Sequence, residues 1–205
     1  MQEHNHTWEE AQTEELEFWN TPGAELGEQL KQLTYAPYIG INFYHDGNSP
    51  YVIDKSGKTV VDIGGGPVSM LLKTNAKSKT VVDPCNYAKW VDDRYTTNDI
   101  KWVKKPAEDF NATSVDEFWL YNVLQHTTSP QQIFTNIYNS LVKGGVFRFL
   151  DWVETPTNVA HPITLTAEDI HVLLLQAGFE EPLVKTDQIN SNGAVGKIAY
   201  GVFTK

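Results

Sequence analysis

Three consecutive glycines follow an apolar run near the start of the second quarter of the chain, and they are the first feature that could bind a ligand. They lie in VVDIGGGP, residues 60–67, as Gly64, Gly65 and Gly66. Glycine has no Cβ, so its backbone can turn sharply and approach a ligand closely. Pro67 suits the first turn of a helix, where its missing N–H costs little. The segment therefore predicts a strand, a ligand-binding loop and a helix, in that order.

Two acidic residues accompany this loop. Asp62 stands two residues before the first glycine, and Asp83 ends the next strand-like run, where Pro84 follows it. An acid about 20 residues after such a loop can accept hydrogen bonds from both hydroxyls of a ribose. A carboxylate at position 62 does not help to bind a pyrophosphate, but it can bind the ammonium of an amino acid. Asp62 therefore favours a nucleoside that carries an amino-acid group.

Two further side chains are candidates for catalysis. His126 follows the fourth strand-like run, and Asp151 follows the fifth, together with Trp152 and Glu154. The carboxyl ends of parallel strands share one edge of a sheet, so these residues should lie near the glycine loop. An imidazole with a near-neutral pKa could act as a general base, and a carboxylate could orient a second substrate. Packing in a loop, or capping of the next helix, is the alternative for each.

Alternating strands and helices must hold these residues together. Such alternation predicts an α/β fold with a doubly wound, mostly parallel sheet and helices on both faces. Because no helical segment separates the last two runs, we expect a closing hairpin near 188–196 and an antiparallel last strand. The predicted strands are 59–63, 80–82, 100–103, 117–121, 146–152, 183–186 and 197–203, and the predicted helices are 67–75, 86–93, 129–142 and 166–177.

Residues 1–57 differ from the rest of the chain. Two helical segments, 9–19 and 24–33, are separated by Pro22-Gly23 and followed by an aromatic stretch. We expect them to form a helical and aromatic cap that belongs to the same domain as the core, residues 58–205. The aromatic residues that could line a substrate site under this cap, or equally pack in the core, are Trp19, Tyr35, Tyr38 and Tyr44.

Composition excludes several classes of partner. The 205 residues carry a formal net charge of −10, which repels nucleic-acid phosphates and anionic membranes. A single cysteine, Cys85, excludes an internal disulfide, and we expect neither a signal peptide nor a membrane-spanning helix, because the first residues are polar and acidic and no apolar run is long enough. These features predict a cytoplasmic protein. The histidines outside the loop do not form a convincing ligand set, so we expect no metal; they are His4, His6, His161 and His171.

Five segments in a fixed order give the chain a family resemblance over residues 58–152. They are VVDIGGGP, VVDP, PAEDF, DEFWLYNVLQHTTSP and LVKGGVFRFLDW. Together they resemble the class I S-adenosylmethionine-dependent methyltransferases. The resemblance implies a Rossmann-like, seven-stranded fold with an antiparallel last strand. It also implies S-adenosylmethionine as the cofactor and in-line methyl transfer to an acceptor. The acidic charge and small size of the chain favour a small molecule over nucleic acid as that acceptor.

The resemblance also assigns the cofactor site. Asp62 would lie near the ammonium, Asp83 would hold the ribose hydroxyls, and Asn122 would lie close to the sulfonium. The remaining residues of the expected site contact the methionine part, the ribose or the adenine, and they are Gly64, Gly65, Gly66, Pro84, Ala107, Glu108 and Asp109. Two positions depart from the family pattern, because Val68 replaces a further glycine and Pro106 replaces an acid.

Two other functions share part of this pattern. A nicotinamide-dependent oxidoreductase would use the glycine loop and Asp83, although Asp62 and the closing hairpin disfavour it. A nucleoside-binding protein without catalytic activity would keep the same loop and both acids. Binding of S-adenosylmethionine rather than NAD would distinguish a methyltransferase from the oxidoreductase. Methyl transfer to an acceptor would distinguish it from the protein without catalytic activity.

Overall fold

The computed structural model describes residues 8–43 and 52–205 of the chain, so the expectations for His4, His6 and Tyr44 fall outside the described residues. The helices are α1 (Trp8–Trp19), α2 (Ala24–Tyr38), α3 (Lys89–Thr97), α4 (Pro130–Ser140) and α5 (Ala167–Ala177). The strands are β1 (Thr59–Ile63), β2 (Ser78–Val82), β3 (Ile100–Val103), β4 (Val115–Tyr121), β5 (Leu141–Trp152), β6 (Lys185–Ser191) and β7 (Ala194–Thr204).

All seven strands belong to one sheet, in the order β3-β2-β1-β4-β5-β7-β6. The pairs among β1 to β5 are parallel, whereas β7 runs antiparallel to both β5 and β6. The predicted sheet is thereby confirmed. The chain builds outward from β1 to β3 and then returns to place β4 on the other side of β1. Ligands of open α/β sheets bind at such a reversal, beyond the carboxyl ends of the strands.

Strand β4 shows how the sheet is buried on both faces. Successive side chains of a strand point to opposite faces. Phe118 and Leu120 therefore join the core under α4 and α5, while Trp119 and Tyr121 join the core on the other face, which α2 and α3 cover. The near-continuous apolar run of this strand is typical of a parallel strand covered on both sides.

The helix predicted after the glycine loop, 67–75, is wrong. Two short 3₁₀ turns, Gly66–Val68 and Met70–Lys73, replace it, and Ser69 separates them in an extended conformation with φ −43° and ψ 141°. The Ser69 hydroxyl accepts a hydrogen bond from the Leu71 backbone at 3.0 Å and donates one to Asp62. The side chain thus competes for local backbone bonds, which is the usual reason that serine interrupts a helix.

Other element boundaries moved by a few residues. Helix α2 continues past 33 to Tyr38, and α3 begins only at Lys89. The hairpin loop is shorter than predicted, because only Asn192 and Gly193 separate the last two strands and both have positive φ. Two positive φ values in a two-residue loop match the twist of paired strands. None of the helices in 8–43 and 52–205 has the length and apolar character that a bilayer crossing requires.

Candidate functional site

The site is built at the carboxyl ends of β1 and β4, where the strand order reverses. Gly64 leaves β1 with φ +67°, and Asn122 leaves β4 with φ +60°. A Cβ at position 64 would lie 2.5 Å from the side chain of Val123, so the two loops touch through the glycine. Only glycine satisfies both this positive φ and this contact without strain.

Asp83 connects the glycine loop to the end of β2. Its carboxylate accepts hydrogen bonds from the backbone N–H groups of Gly66 and Cys85, each at 3.0 Å. Burial is the main cause that raises the pKa of Asp83 to about 6, and the nearby Glu15 carboxylate adds to it. Each oxygen can still accept a second hydrogen bond, because a carboxylate oxygen carries two lone pairs.

Asp62 lies fully buried beneath the loop and lacks one partner. Its Oδ2 accepts from the Ser69 hydroxyl at 2.5 Å and from the Tyr121 hydroxyl at 3.0 Å. Within the described residues, its Oδ1 has no hydrogen-bond donor. Burial raises the pKa of Asp62 to about 7. An orphaned buried oxygen is rare in native proteins and indicates a missing donor such as a ligand N–H.

Two adjoining cavities open from these strand ends. The strand-end cavity lies against the ends of β1, β2 and β4, and its lining includes Asp83, Pro84, Ala107, Glu108 and Val123. The cap cavity, about 550 Å³, lies under α1 and α2 and is lined by all three glycines, Tyr121 and residues of both helices. Four residues line both cavities, and they are Glu15, Gly64, Asn122 and His126.

His126 lies where the two cavities meet, which we call the junction. One of its ring nitrogens is hydrogen-bonded to the backbone, and the other can accept a hydrogen bond from a ligand. Its Nδ1 lies 2.7 Å from the carbonyl oxygen of Ala160, and a carbonyl can only accept, so Nδ1 carries the proton. The lone pair is therefore on Nε2, whose nearest donor is the Gln125 amide at 3.5 Å. The near-neutral pKa expected for His126 from sequence is wrong, because burial lowers it to about 4, so the ring is neutral at pH 7.

Asp151 occupies a different place from the one that a substrate-binding carboxylate would need. Its Oδ2 accepts from the backbone N–H groups of Val123 and Leu124, at 2.9 and 2.6 Å, and its Oδ1 accepts from Trp152. Burial raises the pKa of Asp151 to about 7. The side chain lines neither of the two cavities. It fixes the loop that carries Asn122 and His126.

Asp109 also departs from its expected place. It is exposed and lines neither cavity, because the 3₁₀ turn Ala107–Asp109 buries its first residue and leaves its third at the surface. Glu108 lines the strand-end cavity, while its Oε1 accepts from the backbone of Thr128 and Ser129 near the start of α4. The other predicted site residues line one or both cavities, except Asp62, which lies buried beneath the glycine loop and lines neither.

The cap contributes residues that the sequence patterns did not identify. Glu15 and Glu28 reach the cap cavity beside Trp19 and Tyr35, which were predicted candidates. Trp19 also covers the loop, since a Cβ on Gly66 would lie 3.0 Å from its ring. Helical periodicity marks faces of α1 and α2 but does not say which face meets a cavity, so sequence alone could not select the two acids. Tyr38 instead donates to Asp187 at 2.9 Å, on an exposed surface.

Comparisons with known proteins agree with this arrangement. Residues 61–149 match a family model described as a methyltransferase domain. No curated protein matches the chain in sequence.

Three solved structures show the same fold over most of the chain. A SAM-dependent methyltransferase from Thermotoga maritima, titled a possible histamine N-methyltransferase, has 17% identity and a TM-score of 0.64, with 98% of this chain and 100% of that chain covered. The 1,6-didemethyltoxoflavin-N1-methyltransferase of Burkholderia thailandensis has 14% identity and a TM-score of 0.65, covering 96% and 88%. The [4+2]-cyclase SpnF has 14% identity and a TM-score of 0.57, covering 88% and 95%. At these identities the likeness concerns the fold.

Proposed function

We propose that the chain is a class I S-adenosylmethionine-dependent methyltransferase that methylates a small molecule bound in the cap cavity. One observation carries the proposal: Gly64, Asn122 and His126 line both the strand-end cavity and the cap cavity. A nucleoside in the first cavity and an acceptor in the second would therefore meet at these residues. The Burkholderia enzyme, solved with its acceptor and S-adenosylhomocysteine bound together, supports such a two-ligand arrangement.

The residues present fit the cofactor. Asp62 Oδ1 is a buried acceptor without a donor among the described residues, which an α-ammonium would supply. Asp83 keeps lone pairs for two ribose hydroxyls, and Pro84, Ala107 and Glu108 line the part of the cavity that would take the adenine. Gly64, Gly65 and Gly66 would contact the methionine part. When bound, S-adenosylmethionine supplies a methyl group already activated by a positively charged sulfur.

The protein then has to position the cofactor and the acceptor and to exclude water from the space between them. The cap places Trp19 and Tyr35 over the cavity, which excludes water from the junction. His126 Nε2 accepts a hydrogen bond from the acceptor, or its proton where the acceptor must lose one. Asp151 acts as a positioning residue, because it holds the backbone of Val123 and Leu124 on which this geometry depends.

Product formation tests the proposed activity directly. The purified protein is incubated with S-adenosylmethionine and fractions of a small-molecule extract, and S-adenosylhomocysteine is measured by mass spectrometry. We expect product in some fractions and none without extract. Binding of the cofactor together with no product from any fraction would instead support a nucleoside-binding protein without catalytic activity.

Cofactor affinity should rise with pH. The pKa values of Asp62 and Asp83 are raised to about 7 and about 6, so both carboxyls are largely protonated at low pH. The ammonium needs an ionised Asp62, and Tyr121 and Ser69, which face the same carboxylate, stay neutral donors. We expect about tenfold tighter binding at pH 7.5 than at pH 5.5 by calorimetry, with proton release at the lower pH. In Asp62→Asn this dependence should flatten, and an equally flat profile in the unmodified protein would contradict the assignment.

A further inference from the structure

On the basis of the proposed function, we infer that the acceptor is a small organic amine, held in the cap cavity by the carboxylates of Glu15 and Glu28 and by aromatic walls. Glu15 lies on α1 and lines both cavities, so it stands at their junction. Glu28 lies on α2 and lines the cap cavity.

The charges that line the cap cavity favour a cation. Among the described residues that line the cavity, the acids are Glu14, Glu15 and Glu28, and Lys31 is the only lysine or arginine. Lys31 is already paired with Glu28, with Nζ 3.2 Å from Oε2. The two lining histidines, His126 and His161, are neutral because burial lowers the pKa of each to about 4. An anionic acceptor would therefore meet a surplus of negative charge.

Glu15 is a half-buried carboxylate that keeps an oxygen for a ligand. Its Oε1 accepts from the Trp19 indole at 2.7 Å, whereas Oε2 has no donor among residues 8–43 and 52–205. In the same part of the chain no lysine or arginine pairs with it, and burial raises its pKa. Glu28 likewise has a raised pKa through burial, to which the charge of Glu15 contributes. Burying such acids costs free energy, which a cationic ligand offsets.

Aromatic rings supply the remaining walls. Trp19, Tyr35 and Trp152 line the cavity, and the Trp152 indole donates to the Tyr35 hydroxyl at 3.1 Å, which fixes both rings. The faces of such rings attract organic cations, most strongly when water is excluded. Acids together with aromatic walls are the combination that suits an alkylammonium or arylalkylammonium.

The same groups suit the chemistry of an amine acceptor. The amine binds as an ammonium and loses one proton to solvent before it reacts. A remaining N–H can then donate to His126 Nε2, which orients the lone pair. That lone pair forms the new N–C bond while the C–S bond breaks and its electrons stay on sulfur. The positive charge passes from sulfur to nitrogen, so the product leaves as a methylammonium. Glu15 and Glu28 would stabilise the charge as it forms on nitrogen.

Matched ligands test the inference. Phenethylamine, 2-phenylethanol and phenylacetate share a skeleton and differ in the head group. Their binding is measured by calorimetry to protein saturated with S-adenosylhomocysteine at pH 7.5. We expect the amine to bind at least ~10-fold more tightly than either analogue, as one charge-assisted hydrogen bond and a cation–π contact would produce.

Variants of equal side-chain size test whether Glu15 and Glu28 cause the preference for the amine. Glu15→Gln and Glu28→Gln should each lower the amine affinity about tenfold and leave the alcohol unchanged, since each removes one charge from the cavity. Glu17→Gln, on the exposed side of α1, should change neither and serves as the matched control. Equal affinities for the three ligands, preference for phenylacetate, or no binding of the amine would overturn the inference. Because S-adenosylhomocysteine binding is measured first, its failure would instead overturn the proposed function, and with it this inference.

Discussion

Asp83→Asn is expected to weaken the binding of S-adenosylmethionine and S-adenosylhomocysteine by about 100-fold or more, because hydrogen bonds from hydroxyls to a charged acceptor contribute ~1.5–3 kcal/mol each. The asparagine keeps the size of the side chain but offers an NH₂ group where a carboxylate oxygen now accepts from Gly66 or Cys85. The substitution therefore removes a ligand contact and disturbs the glycine loop together. Calorimetry with S-adenosylhomocysteine measures the loss.

Thermal unfolding separates this loss from a folding defect. A raised carboxyl pKa means that the native state binds more protons than the unfolded state between about pH 4 and pH 6. The stability of the free protein should thus fall as pH rises through that window, and Asp83→Asn should lessen the fall. Asp93→Asn, at an exposed position of α3 paired with Lys89, is the control and should leave affinity unchanged. Retention of affinity within about threefold by Asp83→Asn would refute the role assigned to this residue.

His126→Ala is expected to lower turnover by about 100-fold while leaving cofactor affinity nearly unchanged, the typical effect of losing one proton-accepting group. The reason is the position of Nε2 at the junction of the two cavities, with Nδ1 fixed on Ala160. Steady-state rates at saturating acceptor and calorimetry with S-adenosylhomocysteine give the two quantities. His126→Gln, which keeps an acceptor atom, should retain more activity than alanine.

His171→Ala provides a matched control for this second experiment. His171 also bonds a backbone carbonyl, that of Pro182 at 3.0 Å, but it lies on α5 and lines neither cavity. It should leave turnover within about twofold of the unmodified protein, as surface changes usually do. Equal loss of turnover and cofactor affinity in His126→Ala would remove His126 from catalysis and assign it to the structure of the loop.

The parts of the fold that depend on local patterns were predictable from sequence. Apolar strand runs, the capping box at Thr166 and the glycine after α5 placed most elements, and the lack of a helix before the last strand predicted its antiparallel direction. The region after the glycine loop was not predictable in this way. There Ser69 bonds to Asp62, a residue on the strand before it, so a contact across the loop decides the local conformation.

The site residues likewise divide into those that sequence could place and those that depend on contacts in the folded chain. Asp62, Asp83 and Asn122 each lie next to the last residue of a strand, and parallel topology alone brings strand ends together. Asp151 also lies next to the last residue of a strand, yet its carboxylate turns to backbone N–H groups, and sequence carries no signal for that choice. Glu15 and Glu28 are on helices, whose placement over the sheet depends on the packing of the cap. Their role could only be inferred from the folded chain.

The central claim is that the strand ends hold a sulfonium nucleoside, and calorimetry of the purified protein tests it most directly. Titrations with S-adenosylmethionine, S-adenosylhomocysteine and NAD are compared at pH 7.5 on protein shown to be folded by circular dichroism. We expect saturable binding of the two sulfur nucleosides at micromolar concentration and no binding of NAD. Binding of NAD, or no detectable binding of either sulfur nucleoside at millimolar concentration, would contradict the central claim.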